Sequence, residues 1–266
     1  MFPLKDNIPT DRFPVVTVAL IVINVLAYFL WQRGGITLGD PSSPHYFDNL
    51  VRYSEFPYEV THPGQQCIPV NEQTFECAKS YGAQYDLPPT YLTVFTAMFM
   101  HGGLLHLGGN MLYLMIFGNN IEDSLGKVRF LLFYLLCGVL AAGAQIAIGP
   151  GSAVPTLGAS GAIAGVLGGY LILYPRARVD SLVILGFLIT RASIPAFFLL
   201  GFWLVSQFFG QFLGFMKGGS GGGVAYMAHI GGFVAGMLLI RLFGARTHDD
   251  APPRSHEVPA YRAYRY

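Results

Sequence analysis

The sequence predicts an all-α polytopic membrane protein with six transmembrane helices and a long extracytoplasmic loop between the first two. Three observations support this fold class: 53% of the 266 residues are hydrophobic, only 12% are charged, and the apolar residues are clustered in long runs. Soluble domains contain about 25% charged residues, and a helix needs roughly 20 apolar residues to cross the hydrocarbon core. A soluble protein with an unusually apolar core is the alternative, and the clustering argues against it.

The apolar runs define the predicted spans and the domain boundaries. They lie at about 14–32, 104–121, 128–148, 157–174, 194–215 and 224–243. We therefore expect a cytoplasmic N-terminal segment (1–13), a membrane domain (14–243) with an outer loop at about 33–100, and a cytoplasmic, disordered tail (244–266). No small-residue cleavage site follows the first run, which predicts a retained helix rather than a secretory signal. The apolar segment 180–193 is too short to cross and predicts an interfacial or re-entrant stretch.

The distribution of positive charge predicts the orientation of the chain in its membrane. With six spans, the side opposite the termini carries only four of the 16 Lys and Arg residues, namely Arg33, Arg52, Lys79 and Lys217. Cytoplasmic loops are enriched in Lys and Arg, so we expect both termini to be cytoplasmic, in a membrane of the bacterial cell type. The formal net charge of +1 gives no general attraction to nucleic acid.

The cysteines leave two alternatives open. Cys67 and Cys77 lie in a polar stretch of the predicted outer loop. Their spacing is wide for a zinc pair and no second pair exists, whereas an oxidising compartment would favour a disulfide. Two unpaired thiols are equally compatible with the sequence. Cys137 lies within an apolar run and is predicted to be a packing residue.

Polar side chains interrupt three of the predicted spans. His106 and Asn110 lie in the second span, Ser160 in the fourth and His229 in the sixth. Such residues are costly at membrane depth and usually face the interior of a helix bundle or an aqueous cavity. The sequence therefore predicts one polar site that three helices share.

Glycine spacing predicts that the fourth and sixth spans approach each other closely. Gly161 begins a row of glycines spaced by four residues in the fourth span, and Gly232 begins another in the sixth. Small residues at this spacing lie on one helix face and allow backbones to touch. Ser160 precedes the first row by one residue, and His229 precedes the second by three. We expect the two side chains to come within hydrogen-bond reach if these faces meet.

The residue types at this site predict nucleophilic catalysis. A serine hydroxyl needs a base to take its proton, and histidine is suited to that role near neutral pH. Acidic residues occur in these spans only at the cytoplasmic end of the second, as Glu122 and Asp123. We therefore expect a Ser160–His229 dyad in which packing, rather than a carboxylate, holds His229.

The same chemistry requires donors for an oxyanion. His106 and Asn110 are four residues apart and share a helix face. Together with the backbone N–H of Ser160 they are candidate donors. Gly158 would let the chain bend before the serine and expose that N–H.

These residues lie in motifs that resemble a known family, the rhomboid intramembrane serine proteases. The motifs are HGGLLHLGGN (101–110), GASG (158–161) and AHIGGFVAG (228–236), in the order and at the separations of the family. IEDSLG (121–126) is also similar to the segment that follows the second helix in the family. The resemblance covers about 90–243.

The resemblance implies a fold, an activity and four catalytic roles. The family has six core helices and an active site that opens to the outside. By position, Ser160 matches the nucleophile, His229 the general base, and His106 with Asn110 the oxyanion-stabilising pair. The implied activity is endopeptidase cleavage of transmembrane helices of other membrane proteins near their extracytoplasmic end. It implies no metal and no organic cofactor.

The resemblance also implies supporting residues, and it has departures. His101 matches a structural histidine, and Glu122 matches a polar position that hydrogen-bonds near a helix end. Many rhomboids carry Trp-Arg in the first loop where this chain has Leu92-Thr93. Many also have a tyrosine that stacks on the catalytic histidine where this chain has Ala164; Tyr226 or a nearby phenylalanine could substitute.

Other functions remain as alternatives. A catalytically silent rhomboid-like protein would bind membrane helices without cutting them, and a small transporter or channel would line its pathway with Asn110, His106 and His229. Transporters often carry internal repeats, and this sequence shows none. A metal at His101 and His106 lacks a third ligand at suitable spacing. Ser160 alone could bond a carbonyl of its own helix, and the sequence leaves the oligomeric state open.

Overall fold

The protein is mostly helical. A computed structural model describes residues 2–36, 43–71, 74–78, 87–185, 188–216 and 224–247, so most of the predicted tail lies outside the described residues. The helices α1 to α10 span Val15–Leu26, Pro44–Tyr53, Pro57–Thr61, Thr90–Thr96, Leu104–Tyr113, Asn119–Leu125, Lys127–Ile148, Ser160–Leu173, Ala196–Met216 and Tyr226–Leu242. Two π-helical turns, Ala27–Trp31 and Leu114–Gly118, continue α1 and α5, and a 3-10 turn, Ala97–Phe99, continues α4.

Each predicted apolar run contains helix, but the helices differ in length. Within the described ranges, two helices, α7 and α9, are long and apolar enough to cross a membrane by those two criteria. Shorter apolar helices lie at Val15–Trp31, Thr90–Phe99, Ser160–Leu173 and Tyr226–Leu242. The count of six spans therefore stays a prediction.

The predicted all-α class is wrong in one respect, because the chain also forms strands. Strand β1 (Phe2–Asp6) pairs antiparallel with β4 (Arg178–Leu185), which pairs antiparallel with β5 (Leu188–Pro195). The described residues of the segment 180–193, predicted to be interfacial or re-entrant, thus lie in β4 and β5, and the predicted N-terminal segment supplies a third strand. Side chains on β4 alternate between buried and exposed, which is the period of a strand. The buried ones in its described part are Val179, Ser181 and Val183.

The outer loop between α1 and α5 contains α2 and α3 followed by a second hairpin, β2 (Gln66–Pro69) and β3 (Phe75–Ala78). Cys67 and Cys77 are directly opposite each other in this hairpin and form a disulfide. The disulfide is therefore the correct one of the two alternatives. The backbone N–H of Cys67 also donates to the buried Glu59 carboxylate over 2.7 Å, which joins the hairpin to α3.

The outer loop holds the segment that leads into α8. The backbone of Glu55 exchanges two hydrogen bonds with that of Thr156, of 3.0 and 2.7 Å, and the N–H of Tyr58 donates to the Ser152 carbonyl over 3.1 Å. Burial raises the pKa of Glu55 to about 8, so its carboxyl group is mostly neutral at pH 7. These backbone contacts fix the loop immediately before Ser160.

Helix α8 lies at the centre of the bundle, with all residues from 161 to 170 buried. Its glycines touch the backbone of α10. A Cβ atom at Gly168 would overlap the carbonyl of Phe233, and one at Gly236 would overlap the carbonyl of Gly165. Backbones this close gain dispersion contacts along their length, and only glycine permits the approach. The pair α8–α10 is therefore the rigid centre of the fold.

Candidate active site

Ser160 and His229 are in hydrogen-bond contact. Ser160 is the first residue of α8, and His229 lies in the first turn of α10. The Nε2 atom of His229 lies 2.8 Å from the Oγ atom of Ser160, and both residues are half-buried. This is the geometry in which an imidazole can take the proton of a serine hydroxyl.

Glycine packing explains why the two side chains meet. A Cβ atom at Gly232 would overlap the carbonyl oxygen of Gly161, and one at Gly161 would lie 2.7 Å from the Cβ atom of Ala141. The backbones of α8 and α10 therefore touch one residue after Ser160 and three residues after His229. That close approach leaves only the length of the two side chains between the helices.

Gly158 sets the conformation of the chain before Ser160. Its φ of +123° is one that residues with a Cβ atom rarely adopt, and a Cβ atom there would lie 2.9 Å from Nε2 of His106. Its own N–H donates to the Ala97 carbonyl over 2.8 Å. The backbone N–H of Ser160 follows in the first turn of α8, where no intrahelical acceptor exists and the helix dipole favours negative charge.

The two side chains predicted to stabilise an oxyanion lie on one face of α5. The Nδ1 atom of His106 accepts from the backbone N–H of Gly102 over 3.1 Å, so in a neutral ring Nε2 carries the hydrogen. One turn further, the Nδ2 atom of Asn110 is buried and has no hydrogen-bond partner among the described residues. An unpaired buried donor costs stability and is typical of a site that acts on something else.

His101 is held through its backbone. The Gln32 side chain donates to the His101 carbonyl over 2.8 Å and accepts from its N–H over 2.9 Å. Burial, with the nearby His106, lowers the pKa of His101 to about 3, so the ring stays neutral. Within the described part of the chain, no group of three or more His, Cys, Asp or Glu side chains is placed to hold a metal ion.

Glu122 lies away from Ser160 and His229, at the start of α1. Its carboxylate accepts from the backbone N–H groups of Val16 and Thr17, over 2.9 and 2.7 Å, and from the hydroxyl of Thr17 over 2.9 Å. A carboxylate at a helix N-terminus satisfies unpaired donors and complements the helix dipole. Glu122 therefore fastens α6 to α1.

The sequence analysis missed the residue that contacts the other side of the histidine ring. The Nδ1 atom of His229 lies 2.8 Å from the Oε1 atom of Gln207, a buried residue of α9. The contact is with an amide and not with a carboxylate, so it adds a hydrogen bond to the packing that was expected to hold His229. Gln207 is one of few polar residues in the apolar run of α9, and that polarity was the available signal.

An aromatic ring also lies beside His229, although Ala164 occupies the position at which the family resemblance implies a tyrosine. It belongs to Trp203, whose ring centroid lies 5.8 Å from that of His229. Tyr226, one of the residues considered for this role, instead fills the space over Gly210. The aromatic neighbour of His229 is therefore a residue of α9, and the buried Ala164 contributes no ring.

The second departure from the family pattern lies on α4. Leu92 is exposed, whereas Thr93 is buried and its hydroxyl donates to the Thr90 carbonyl over 2.7 Å. The pair therefore belongs to the outer loop and not to the contact between Ser160 and His229.

Comparison with known proteins identifies the family. The family model described as "Rhomboid domain" matches residues 88–246. Similar proteins include Rhomboid protein 1, mitochondrial, of Saccharomyces cerevisiae, 29% identical over 52% of this chain and 44% of that protein. Rhomboid-like protein 11, chloroplastic, of Arabidopsis thaliana is 31% identical over 62% of this chain and 56% of that protein.

A bacterial relative matches over a shorter stretch. Rhomboid protease GluP of Bacillus subtilis is 41% identical over 29% of this chain and 14% of that protein. The matches thus cover between 14% and 56% of these three relatives' own lengths. The family model spans well over half of this chain and includes every predicted site residue, and the chain therefore belongs to the rhomboid family of membrane proteins.

Proposed function

We propose that this protein is an intramembrane serine endopeptidase that cleaves transmembrane helices of other membrane proteins near their extracytoplasmic end. The observation that supports this most strongly is the 2.8 Å contact between Oγ of Ser160 and Nε2 of His229. Nucleophile and base in direct contact are the minimum requirement of covalent acyl transfer.

In this proposal the proton moves between two atoms. Oγ of Ser160 attacks the scissile carbonyl while Nε2 of His229 takes its proton. Nε2–H of His106, Nδ2 of Asn110 and the Ser160 N–H stabilise the oxyanion. His229 then protonates the leaving amine, and water that enters from the outer face hydrolyses the acyl-enzyme. No metal or organic cofactor takes part in these steps.

The substrate is proposed to be a helix that unwinds locally. A regular helix keeps its carbonyls in hydrogen bonds, so glycine, proline or polar residues near the outer end should help cleavage. A cavity of about 30 Å³ beside Ser160 is lined largely by glycine and alanine, and Glu55 is also among its lining residues. That volume accommodates about one water molecule, which favours a small side chain next to the scissile bond.

The proposed topology places the site near the outer face of the membrane. We propose six spans within a membrane domain of 14–243, with both termini cytoplasmic in a bacterial-type cell membrane. The Lys and Arg distribution supports this orientation, and the disulfide between Cys67 and Cys77 supports an extracytoplasmic outer loop. A tail of 244–266 would then be cytoplasmic.

The experiment is cleavage of a single-span substrate in liposomes by the purified protein beside Ser160→Ala and His229→Ala. We expect cleavage by the unchanged protein, loss in both variants, and no effect of a zinc chelator. A catalytically silent protein would instead capture the substrate helix without cutting it, and its Ser160→Ala variant would capture the helix equally well. Strong inhibition by the chelator would indicate a metal-dependent mechanism and contradict the proposal.

A further inference from the structure

We propose that Gln207 is a positioning residue of the active site, which holds His229 in the tautomer that can act as a base toward Ser160. This inference rests on the proposed function, because it assigns a part in the same proton transfer. The dyad would thus be oriented by a third, uncharged residue that α9 supplies.

The orientation of the Gln207 side-chain amide follows from its other partners. Its Nε2 atom lies 3.1 Å from the Trp203 carbonyl oxygen and 2.9 Å from Oγ of Ser206. A carbonyl oxygen can only accept, so the NH₂ end of the amide must face the backbone of α9. The Oε1 atom is therefore the end that faces His229, 2.8 Å from Nδ1.

The amide orientation fixes the state of the imidazole. Oε1 of Gln207 can only accept a hydrogen bond, so Nδ1 of His229 must carry a hydrogen. In a neutral ring Nε2 then has a free lone pair, and this is the atom 2.8 Å from Oγ of Ser160. The serine hydroxyl donates to it, which is the arrangement that base catalysis requires. The opposite tautomer would point an N–H at Ser160 and could not take its proton.

The environment of Gln207 limits the alternatives for this side chain. The residue is 8% exposed, so water is a poor substitute for its partners. The Trp203 ring, one turn away on the same helix, lies within 5.9 Å of both the His229 and Phe233 rings, measured between centroids. One face of α9 thus supplies both the hydrogen bond and an aromatic neighbour for the imidazole.

The inference implies that the base depends on the position of α9. Ser160 and His229 belong to the tightly packed pair α8–α10, whereas Gln207 belongs to a helix whose outer face carries many exposed aromatic side chains. Movement of α9 away from α10 would break the contact at Nδ1 without separating Ser160 from His229. The proton-accepting tautomer would then lose its support.

The test uses a reaction that needs the activated serine but no peptide substrate. A fluorophosphonate forms a bond between its phosphorus and Oγ of Ser160, fluoride leaves, and the serine proton passes to His229. The rate of labelling is measured in full-length protein in liposomes, from pH 5 to 9, for Gln207→Met, Gln207→Glu and the control Gln211→Met. Ser160→Ala reports labelling at other sites.

Gln207→Met keeps the shape of the side chain and removes the acceptor. We expect labelling to slow by about 10- to 100-fold, a part of the roughly 10²–10⁴-fold contribution of a general base. In peptide cleavage we expect the loss in kcat with KM unchanged. The control changes the same residue type one turn along α9 and should leave both rates unaltered.

Gln207→Glu keeps an oxygen acceptor for Nδ1 and adds a group that can ionise. The second carboxyl oxygen replaces the amide NH₂, so a protonated carboxyl can still donate to the Trp203 carbonyl, whereas an ionised one stabilises the protonated imidazole. His229 then stays protonated to higher pH, which moves the acidic limb of the pH–rate profile to higher pH, with activity recovered on the alkaline side. A side chain that only fills space would give no such shift.

Two outcomes would overturn the inference. The first is a labelling rate and a pH–rate profile in Gln207→Met that match those of the unchanged protein. The second is a pH–rate profile in Gln207→Glu that is not shifted. Should Gln207→Met fail to fold, as judged by thermal unfolding, the profile of Gln207→Glu decides alone. Labelling of Ser160 without peptide cleavage would contradict the proposed function and leave the role of Gln207 to be judged by the same rates.

Discussion

The α8–α10 pair and helix α9 hold the same active site in opposite ways. Helices α8 and α10 pack through their backbones, and the contacts are between glycines: Gly161 with Gly232, and Gly165 with Gly236. Helix α9 is longer than either, yet few of its side chains are buried. The exposed phenylalanines of α9 are Phe197, Phe198, Phe202, Phe208, Phe209, Phe212 and Phe215.

The difference shows which part of the chemistry is fixed by the fold. Ser160 and His229, the proposed nucleophile and base, are attached to α8 and α10, so the distance between them depends on backbone contact. The orientation proposed for the His229 ring depends on Gln207, from a helix that meets the bundle through side chains. A preformed pair and an adjustable support can thus coexist in one site.

The largest effect should come from adding a methyl group at the rigid contact. In Gly236→Ala the new Cβ atom overlaps the Gly165 backbone, which cannot rotate away as a side chain can. We expect a loss of at least the roughly 1–3 kcal/mol typical of overpacking, measured as thermal unfolding in detergent.

The matched control is Gly201→Ala on α9. A Cβ atom there has no neighbour within 4 Å among the described residues, so higher helix propensity should stabilise the protein by up to about 1 kcal/mol. Equal losses in both variants would show that the two regions do not differ in packing.

A smaller effect on stability, but a clear one on activity, should follow from Gly158→Ala. The change places a side chain at a φ of +123° and within 2.9 Å of His106, so either the loop or the donor must move. We expect kcat to fall about 100-fold, as when one oxyanion donor is lost. The measurement is the cleavage rate in liposomes.

Gly151→Ala tests the same loop where a Cβ atom has open space among the described residues. Its cleavage rate should stay near that of the unchanged protein. A rate in Gly158→Ala as high as in Gly151→Ala would mean that the backbone before Ser160 does not need its strained conformation.

The smallest effect should come from the outer face of α9. Phe202 is 63% exposed, whereas Phe233 of α10 is fully buried. We expect Phe202→Ala to change the free energy of unfolding by less than about 0.5 kcal/mol, whereas the control Phe233→Ala leaves a cavity in the core and costs clearly more than that. A large loss in Phe202→Ala would indicate that this face packs against protein rather than lipid.

The helices could be located from the sequence, whereas the strands that pair over a long distance could not. Helix positions followed from apolar runs, and the meeting of Ser160 with His229 followed from helical spacing of glycines, because both are local patterns with a known period. The three-stranded sheet was missed because β1 and β4 pair across more than 170 residues. The pairing of two strands that lie so far apart in the chain cannot be predicted from the residue pattern of either strand alone.

Gln207 was missed for a related reason. A glutamine in an apolar run is compatible with many roles, and the partner of Gln207, His229, lies on another helix. The direction in which α9 turns toward α10 decides the contact, and that direction depends on side-chain packing. The third residue of a serine–histidine site is most often an acid, although the carbonyl oxygen of an amide accepts the same hydrogen bond.

The most direct measurement is the rate at which Ser160→Ala and His229→Ala cleave a single-span substrate in liposomes, relative to the unchanged protein. The contact between the two side chains predicts that each variant loses at least about 10⁴-fold, because nucleophile and base act as a unit. Either variant retaining a tenth of the activity would contradict the assignment of the dyad.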